Sequence, residues 1–286
     1  MNIHITKRYE MSKTYIIAEI GINHNGDIEL AKHLIRESSK AGCNAVKFQK
    51  RTIEKVYAPE ELDRLRESPW GTTNREQKEG LEFSLEQYKE LYASAKEYDL
   101  DFIISCWDVD SVRLVEDNLD IDYHKVASAL ATDKEFLKAL NNTNKPVILS
   151  TGMCTERQTS ASINLLDNLK YVLACTSTYP TLPDEVNLKH IQTLKERYPN
   201  IKVGFSNHYS GHDACVGATA LGAECIEFHI TDDRTMYGSD QAASIENYTS
   251  LVRAIRNMEK MLGDGIKKVY DTEIPIMKKL RKVDNI

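Results

Sequence analysis

Short apolar runs alternate with longer amphipathic segments along almost the whole chain, and few folds accept that order. The runs fall at residues 15–20, 45–49, 102–106, 123–126, 146–150, 171–175, 201–205 and 225–228. Several are apolar without a break, as strands covered on both faces are. The segments between them, 28–41, 85–98, 109–118, 133–140, 157–168, 184–198, 213–221 and 246–262, have helical periodicity. In the first, Leu30, Leu34, Ile35 and Ser38 share one face. Eight strands and eight helices in strict order predict an α/β fold, a (β/α)8 TIM barrel, and 286 residues suit it. An open doubly wound sheet is the structural alternative.

Two segments fall outside the repeat. Residues 50–83 form a long insertion after the second strand, with Pro59, Pro69, Trp70 and Gly71. A connection longer than about 15 residues is usually functional or carries its own elements. The pattern divides the chain into an N-terminal extension (1–13), a barrel domain (14–265) and a C-terminal tail (266–286).

Charge and cysteine usage limit the partners. Lys plus Arg is 37 and Asp plus Glu is 43, a net charge of -6. Broad nucleic-acid binding needs a basic surface, so none is expected. The longest apolar stretches reach four to six residues, where a membrane span needs ~20. The N-terminus has no apolar core of a secretory signal. Six cysteines without C-x-x-C spacing read as buried thiols of a reducing cytoplasm. The expectation is a cytoplasmic protein without a membrane partner.

In a barrel, chemistry lies where strands end and loops begin. Strand one ends at Glu19, with Asn23 and His24 beyond, and strand two carries Lys47 and Gln49. Strand four carries Lys125, then Ser128; strand five ends at Ser150, Thr151 and Gly152. Strand six ends at Thr176, Ser177 and Tyr179, strand seven at Ser206, Asn207 and His208, and strand eight carries Glu227 and His229. Burying so many polar groups costs free energy unless they pair or bind something.

Lys47 and Lys125 lie in strands otherwise apolar, so each must pair or ligate an anion. One such lysine alone reads as a structural ion pair. Two of them with Ser128, Ser150 and Ser206 make a phosphate or carboxylate cradle, and a Schiff-base lysine is a different functional reading. His208 and His229 end adjacent strands, about 4.8 Å apart, so two imidazoles can share one metal. Mn²⁺, Zn²⁺ or Fe²⁺ would suit such a pair, with water filling the rest. His208 and His212 are four apart, but Gly211 and the absence of a glutamate exclude a zincin helix. The glycine-bounded loop 21–26 is neither a P-loop nor a dinucleotide fingerprint, and its plain reading is a tight turn with Asp27 capping the next helix. The loop 232–241 reads, alone, as a solvated loop.

The stretches AEIGINHNG (18–26), VKFQ (46–49), HKVAS (124–128), ILSTGM (148–153), CTSTYP (175–180), SNHYSG (206–211) and EFHITDDRTMYGSDQ (227–241) together resemble the sialic acid synthase family, PEP-condensing synthases of nonulosonic acids. The resemblance covers about residues 14–275, with order and spacing preserved. It implies that phosphoenolpyruvate (PEP) and an open-chain N-acyl mannosamine-type or related aldose meet at the barrel mouth. C3 of PEP would attack the aldehyde, water would add to the PEP-derived centre, and phosphate would leave by C–O cleavage to give a 2-keto-3-deoxy acid. The resemblance also implies a divalent metal on His208 and His229, Mn²⁺ before Mg²⁺ or Co²⁺. Lys47, Lys125, Ser128, Ser150 and Ser206 would hold the PEP phosphate and carboxylate, and Gln49 would position the ligands. Glu19 would act as base, acid or orienter, and Tyr179 and Asp240 would contact the acceptor. Glu19, Lys47, Lys125 and Asp240 form the implied catalytic set, and a homodimer is the implied assembly.

There are departures from the family pattern. The chain stops where the family usually continues into an antifreeze-like domain that delivers an arginine to the sugar across a dimer. Asn207 stands where Asp is common beside the metal histidine, Ser177 where some members have Asn near the sugar, and Gly238-Ser239 where Gly-Pro is common. Asn74, Arg75 and Lys78 of the insertion are candidates to replace the arginine, with Arg75 the one to test. Two functions compete: a Schiff-base aldolase using Lys47 or Lys125 without metal, and a non-catalytic subunit of a synthase complex.

Overall fold

The computed structural model describes residues 13–282. The extension expected at 1–13 thus lies, but for its last residue, outside the described residues. In chain order the elements begin β1 (Tyr15–Gly21), α1 (Ile28–Ala41) and β2 (Ala45–Lys50). The insertion follows, with α2 (Ile53–Val56), α3 (Pro59–Leu62), β3 (Leu65–Ser68), β4 (Gly71–Thr73) and α4 (Asn74–Leu81). The repeat then resumes with α5 (Leu85–Glu97), β5 (Asp101–Cys106), α6 (Val109–Asn118), β6 (Tyr123–Val126), α7 (Lys134–Asn141), β7 (Val147–Ser150) and α8 (Glu156–Ile163). It ends with β8 (Leu169–Cys175), α9 (His190–Arg197), β9 (Lys202–Asn207), α10 (Asp213–Ala220), β10 (Cys225–His229), α11 (Tyr248–Leu262) and α12 (Ile274–Leu280).

Eight parallel strands close into a barrel in the order β1-β10-β9-β8-β7-β6-β5-β2. Closure is decided at β1, which pairs with β2 on one side and β10 on the other, and this removes the open-sheet alternative. Alternation along the strands separates two cores. Ile16, Ala18, Val46, Phe48, Phe102 and Ile104 point outward and pack under the helices. Ile17, Ala45, Ile103, Ile148, Leu173 and Cys225 point inward and fill the lower barrel. Beneath them Tyr15, Tyr123 and Tyr171 close the floor, with ring centroids 5.6–6.4 Å apart, and the Tyr15 hydroxyl bonds to Asp101.

The helical periodicity reads most segments correctly, with two corrections. The helix expected over 157–168 ends at Ile163, because the chain tightens there: Leu165 and Leu166 donate to the carbonyls three residues back. The helix expected over 184–198 is a 3-10 turn at Pro183–Glu185, then α9 from His190; Asn187 interrupts it with φ 49°. In α1 it is Ala31, not Leu30, that completes the fully buried face, and Asp27 caps the helix by accepting from Glu29 and Leu30.

The insertion is structured. Its β3–β4 hairpin presents Trp70, which lies against Gly80 of α4 so closely that a Cβ there would stand 2.1 Å from the indole. Trp70 also meets Tyr237 edge-on at 5.4 Å, and Arg66 Nε donates to the Tyr237 hydroxyl at 3.2 Å. These contacts fasten the insertion to the loop after β10. In the tail, α12 has no buried residue. Among the described residues no helix is long and apolar enough to cross a membrane.

Candidate active site

The carboxyl ends of the barrel strands enclose a cavity of about 230 Å³. Glu19 reaches it from β1, Lys47 and Gln49 from β2, Lys125 from β6, Ser150 from β7, and Ser206 from β9. Glu227 and His229 enter from β10. Ser128, Tyr179 and His208 come from the loops that follow β6, β8 and β9. Of the residues singled out as a site in the sequence, Asp240 alone lies beyond this cavity, in a second one described below.

The cavity is an ion-pair lattice. Lys47 Nζ lies 2.8 Å from Glu19 Oε2 and 3.7 Å from Glu227 Oε2. Lys125 Nζ is 3.6 Å from Glu227 Oε1 and donates to Ser150 Oγ at 2.7 Å. Ser206 Oγ donates to Glu227 Oε1 at 3.0 Å, and Gln49 Nε2 to Glu19 Oε1 at 2.6 Å. Burial would lower the Lys47 pKa, but Glu19 and Glu227 outweigh it and hold the ammonium above its ordinary value. Lys125 is depressed: burial dominates, Glu227 offsets it incompletely, and Lys47 adds repulsion. Burial would raise Glu227, yet Lys125 and Lys47 keep it below the usual carboxylate range.

The sequence therefore understated Glu227, which the survey of strand ends named without a role. A signal was present: Glu227 and His229 are two apart on one strand, so they share a face. Ser105 and Trp107 also line the cavity unforeseen. Asn23 and His24, noted as rim residues, are pegs of the fold instead. Asn23 Nδ2 bonds Ile230 O and Ser244 Oγ, and His24 stacks on Phe83 at 4.1 Å, its pKa lowered to about 3 by burial. Ser177 lines the inner cavity, and Asn207 is engaged with the Tyr209 backbone.

His208 and His229 do come together, with ring centroids 5.3 Å apart, and Tyr179 packs on His208 at 4.2 Å. His208 Nδ1 meets the Thr176 carbonyl at 2.7 Å and lies 3.8 Å from Cys175 Sγ. A neutral ring that donates there keeps Nε2 for a ligand. His229 is lowered mainly by burial, which favours the neutral form. Its Nδ1 is buried without a hydrogen bond, 3.4 Å from Asp240 Oδ2. Burial would lower His208 as well, but Cys175, the Thr176 carbonyl and Glu227 outweigh it and hold that ring above its ordinary value, so a cation would displace a proton there. Two imidazoles beside a carboxylate fit a divalent cation, but among the described residues no three such donors converge as a finished cluster.

A vestibule of about 300 Å³ adjoins the cavity and shares Gln49, Trp107 and Tyr179 with it. Its other walls include Arg51, Tyr57, Lys78, Glu82 and Asp240. Arg75 is not among them: it pairs with Glu54 at 3.1 Å and Glu79 at 3.6 Å. Asn74 is held by the Glu61 carbonyl. Of the three candidates in the insertion only Lys78 reaches this space, while Arg75, three residues before it on α4, is drawn to Glu54 and Glu79. Gly21 stands at the junction with φ 56°, and a Cβ there would lie 3.0 Å from Glu19 Oε1 and 3.1 Å from Gln49 Nε2.

A closed (β/α)8 barrel with buried lysines, carboxylates and paired imidazoles at its carboxyl-terminal face defines a class of barrel proteins with a small, charged cavity at that face. The chain belongs to the NeuB family, whose model matches residues 34–267. It is 37% identical to the N-acetylneuraminate-9-phosphate synthase of Mus musculus over 275 residues, 94% of this chain and 76% of that one. It is also 37% identical to the N,N'-diacetyllegionaminic acid synthase of Campylobacter jejuni, over 92% of this chain and 81% of that one. The crystal structure of the N-acetylneuraminic acid synthetase of Leptospira borgpetersenii in complex with citrate superposes with a TM-score of 0.81 at 28% identity, covering 95% of this chain and 93% of that one. The resemblance read from the motifs and the barrel read from the periodicity are both borne out.

Proposed function

We propose that the chain is a PEP-dependent synthase that joins PEP to a sugar aldehyde, giving a 2-keto-3-deoxy sugar acid and phosphate. The observation that carries the reading is the pair of buried lysines bridged by Glu227 beside two imidazoles, in a cavity that opens onto a second polar chamber. The relatives' names, synthases of nonulosonic acids, support the same class.

Lys47 and Lys125, with Ser128, Ser150 and Ser206, bind the PEP anions. The carboxylates that hold the lattice together make way as the ligand's charges replace theirs. The PEP double bond supplies the electron pair for the new bond from C3 to the aldehyde carbon. Water then adds at C2, the C2–O bond to phosphate breaks, and a keto group remains. Glu19, tied to Lys47 and Gln49, relays one proton of that water to the former aldehyde oxygen, which becomes a hydroxyl, and the other proton leaves with the phosphate. Gln49 orients the aldehyde, and Asp240 and Tyr179 face the acceptor from the vestibule. His208 and His229 would hold a divalent metal, Mn²⁺ first and Mg²⁺ or Co²⁺ as alternatives, which when bound supplies Lewis-acid polarisation of the aldehyde.

The test is PEP consumption and phosphate release with Mn²⁺ against a panel of aldoses, beside a parallel set in EDTA. Sugar-dependent phosphate release supports the reading, and its absence with every sugar overturns it. The depressed Lys125 amine favours one alternative, a Schiff-base aldolase. Borohydride trapping of pyruvate on Lys125, with activity intact in chelator, would establish that instead.

A further inference from the structure

We propose that Asp240 is a positioning residue for His229: its Oδ2 accepts the Nδ1 proton of that ring, which fixes the tautomer and leaves Nε2 as the nitrogen with a lone pair for a cation. The inference rests on the metal part of the synthase reading and deepens it. His229 Nδ1 is buried with no hydrogen bond, and Asp240 Oδ2 stands 3.4 Å from it. A buried ring nitrogen left without a partner costs free energy. Among the described residues Asp240 is the one carboxylate within 4.0 Å of it. A shift of about 0.5 Å turns that separation into an ordinary hydrogen bond.

The backbone under Asp240 is pinned. Ser244 Oγ and Ala243 N both donate to its carbonyl, and Asn23 Nδ2 donates to Ser244 Oγ. The two carboxylate oxygens have different surroundings. Oδ1 accepts from Ser239 Oγ at 3.1 Å. Oδ2 lies at the junction of the two chambers, where a Cβ added to Gly21 would stand 3.4 Å from it and 3.0 Å from Glu19 Oε1. His208 follows the same pattern, since its Nδ1 meets the Thr176 carbonyl at 2.7 Å. Each imidazole thus has an oxygen on its Nδ1 side, the arrangement that orients metal-binding histidines through the nitrogen they do not use. A carboxylate is the stronger acceptor of the two, so His229 is the better electron donor of the pair. Among the described residues His208, His229 and Asp240 do not converge as a set of three ligands. The carboxylate therefore supports a ligand and is not one itself.

The experiment titrates Mn²⁺ by electron paramagnetic resonance, with no substrate present, into the unaltered protein, Asp240→Ala and His229→Ala. Asp240→Ala is expected to weaken Mn²⁺ binding about 10–100-fold, and His229→Ala by more. Ring-nitrogen NMR of the unaltered, metal-free protein is expected to show His229 protonated on Nδ1, a preference that Asp240→Ala removes. Unchanged Mn²⁺ affinity in Asp240→Ala overturns the proposal and leaves that residue to the acceptor alone. A loss as large as that of His229→Ala also overturns it, because the carboxylate is then a ligand. A neutral His229 that carries its proton on Nε2 in the unaltered protein overturns it without any variant. If His229→Ala leaves Mn²⁺ affinity as it was, the metal reading fails on its own account. The Nδ1 proton and its dependence on Asp240 then decide the contact: their presence sustains it, and their absence removes it.

Discussion

The inner cavity and the vestibule are both charged, but they are built on opposite principles. In the cavity each cation has a carboxylate: Lys47 with Glu19 and Glu227, Lys125 with Glu227. All four groups sit on barrel strands, locked by neighbours on both sides. In the vestibule Arg51 and Lys78 come from the insertion, and Asp240 from a loop. Their charges are not matched in pairs. The cavity's charges are thus paired as folded, while Arg51 and Lys78 in the vestibule make no ion pair within 4.0 Å among the described residues and share it with Asp240 and Glu82. Under the proposed function, the barrel would fix the donor half of the chemistry and the loops would set the acceptor half.

The comparison breaks most sharply under charge removal. Lys47→Met leaves Glu19 and Glu227 buried with less compensation, and is expected to destabilise the fold by about 3–5 kcal/mol. It should also lower kcat/KM by about 10²–10³-fold. Lys78→Met deletes a cation that other cations repel, so its effect on denaturant midpoint should fall within about 0.5 kcal/mol of zero, on the stabilising side. If both variants unfold equally early, the distinction between paired and unpaired charge is wrong. The metal proposal comes next. His229→Ala should weaken Mn²⁺ binding, followed by electron paramagnetic resonance, beyond the roughly 10–100-fold that loss of a supporting contact costs. Unaltered Mn²⁺ affinity would move the metal elsewhere.

Smaller effects sharpen the boundary between the two chambers. Gly80→Ala places a methyl against Trp70 and should cost about 1–3 kcal/mol. It should raise the acceptor KM while PEP affinity, measured by calorimetry, stays as it was. A matching loss of PEP affinity would mean that the insertion supports both halves. Arg75→Ala is expected to do least. Its two ion pairs are solvent-exposed, worth about 0–1 kcal/mol together, and the acceptor KM should not change. A raised KM would reinstate Arg75 as an acceptor contact.

The same boundary separates what the sequence shows from what it hides. The barrel was legible because burial on both faces leaves unbroken apolar runs, and because a lysine inside such a run has no solvent to reach. Lys47, Lys125, His208 and His229 were visible on those terms. Glu227 was less so, since an acid near a strand end is ordinary until the parity it shares with His229 is noticed. The vestibule was legible in part: Tyr179, Asp240 and Lys78 were acceptor-side candidates in the sequence, whereas Arg51 was not singled out. Arg51 and Arg75 are equally plausible as sequence, and only the way α4 packs under the hairpin decides that one chamber wall is Lys78 and that Arg75 faces Glu54. The helix end at Ile163 was missed because the apolar spacing continues past the point where the chain must turn back to its next strand, and the late start of α9 at His190 because nothing in that spacing marks the left-handed Asn187.

The tyrosine floor has a consequence for traffic. A barrel sealed below by Tyr15, Tyr123 and Tyr171 fills and empties through its upper opening, and the vestibule stands in that path. Whatever occupies the deeper chamber has to arrive before its neighbour closes the way, and has to wait for that neighbour to depart. Steady-state product-inhibition patterns read such a sequence directly.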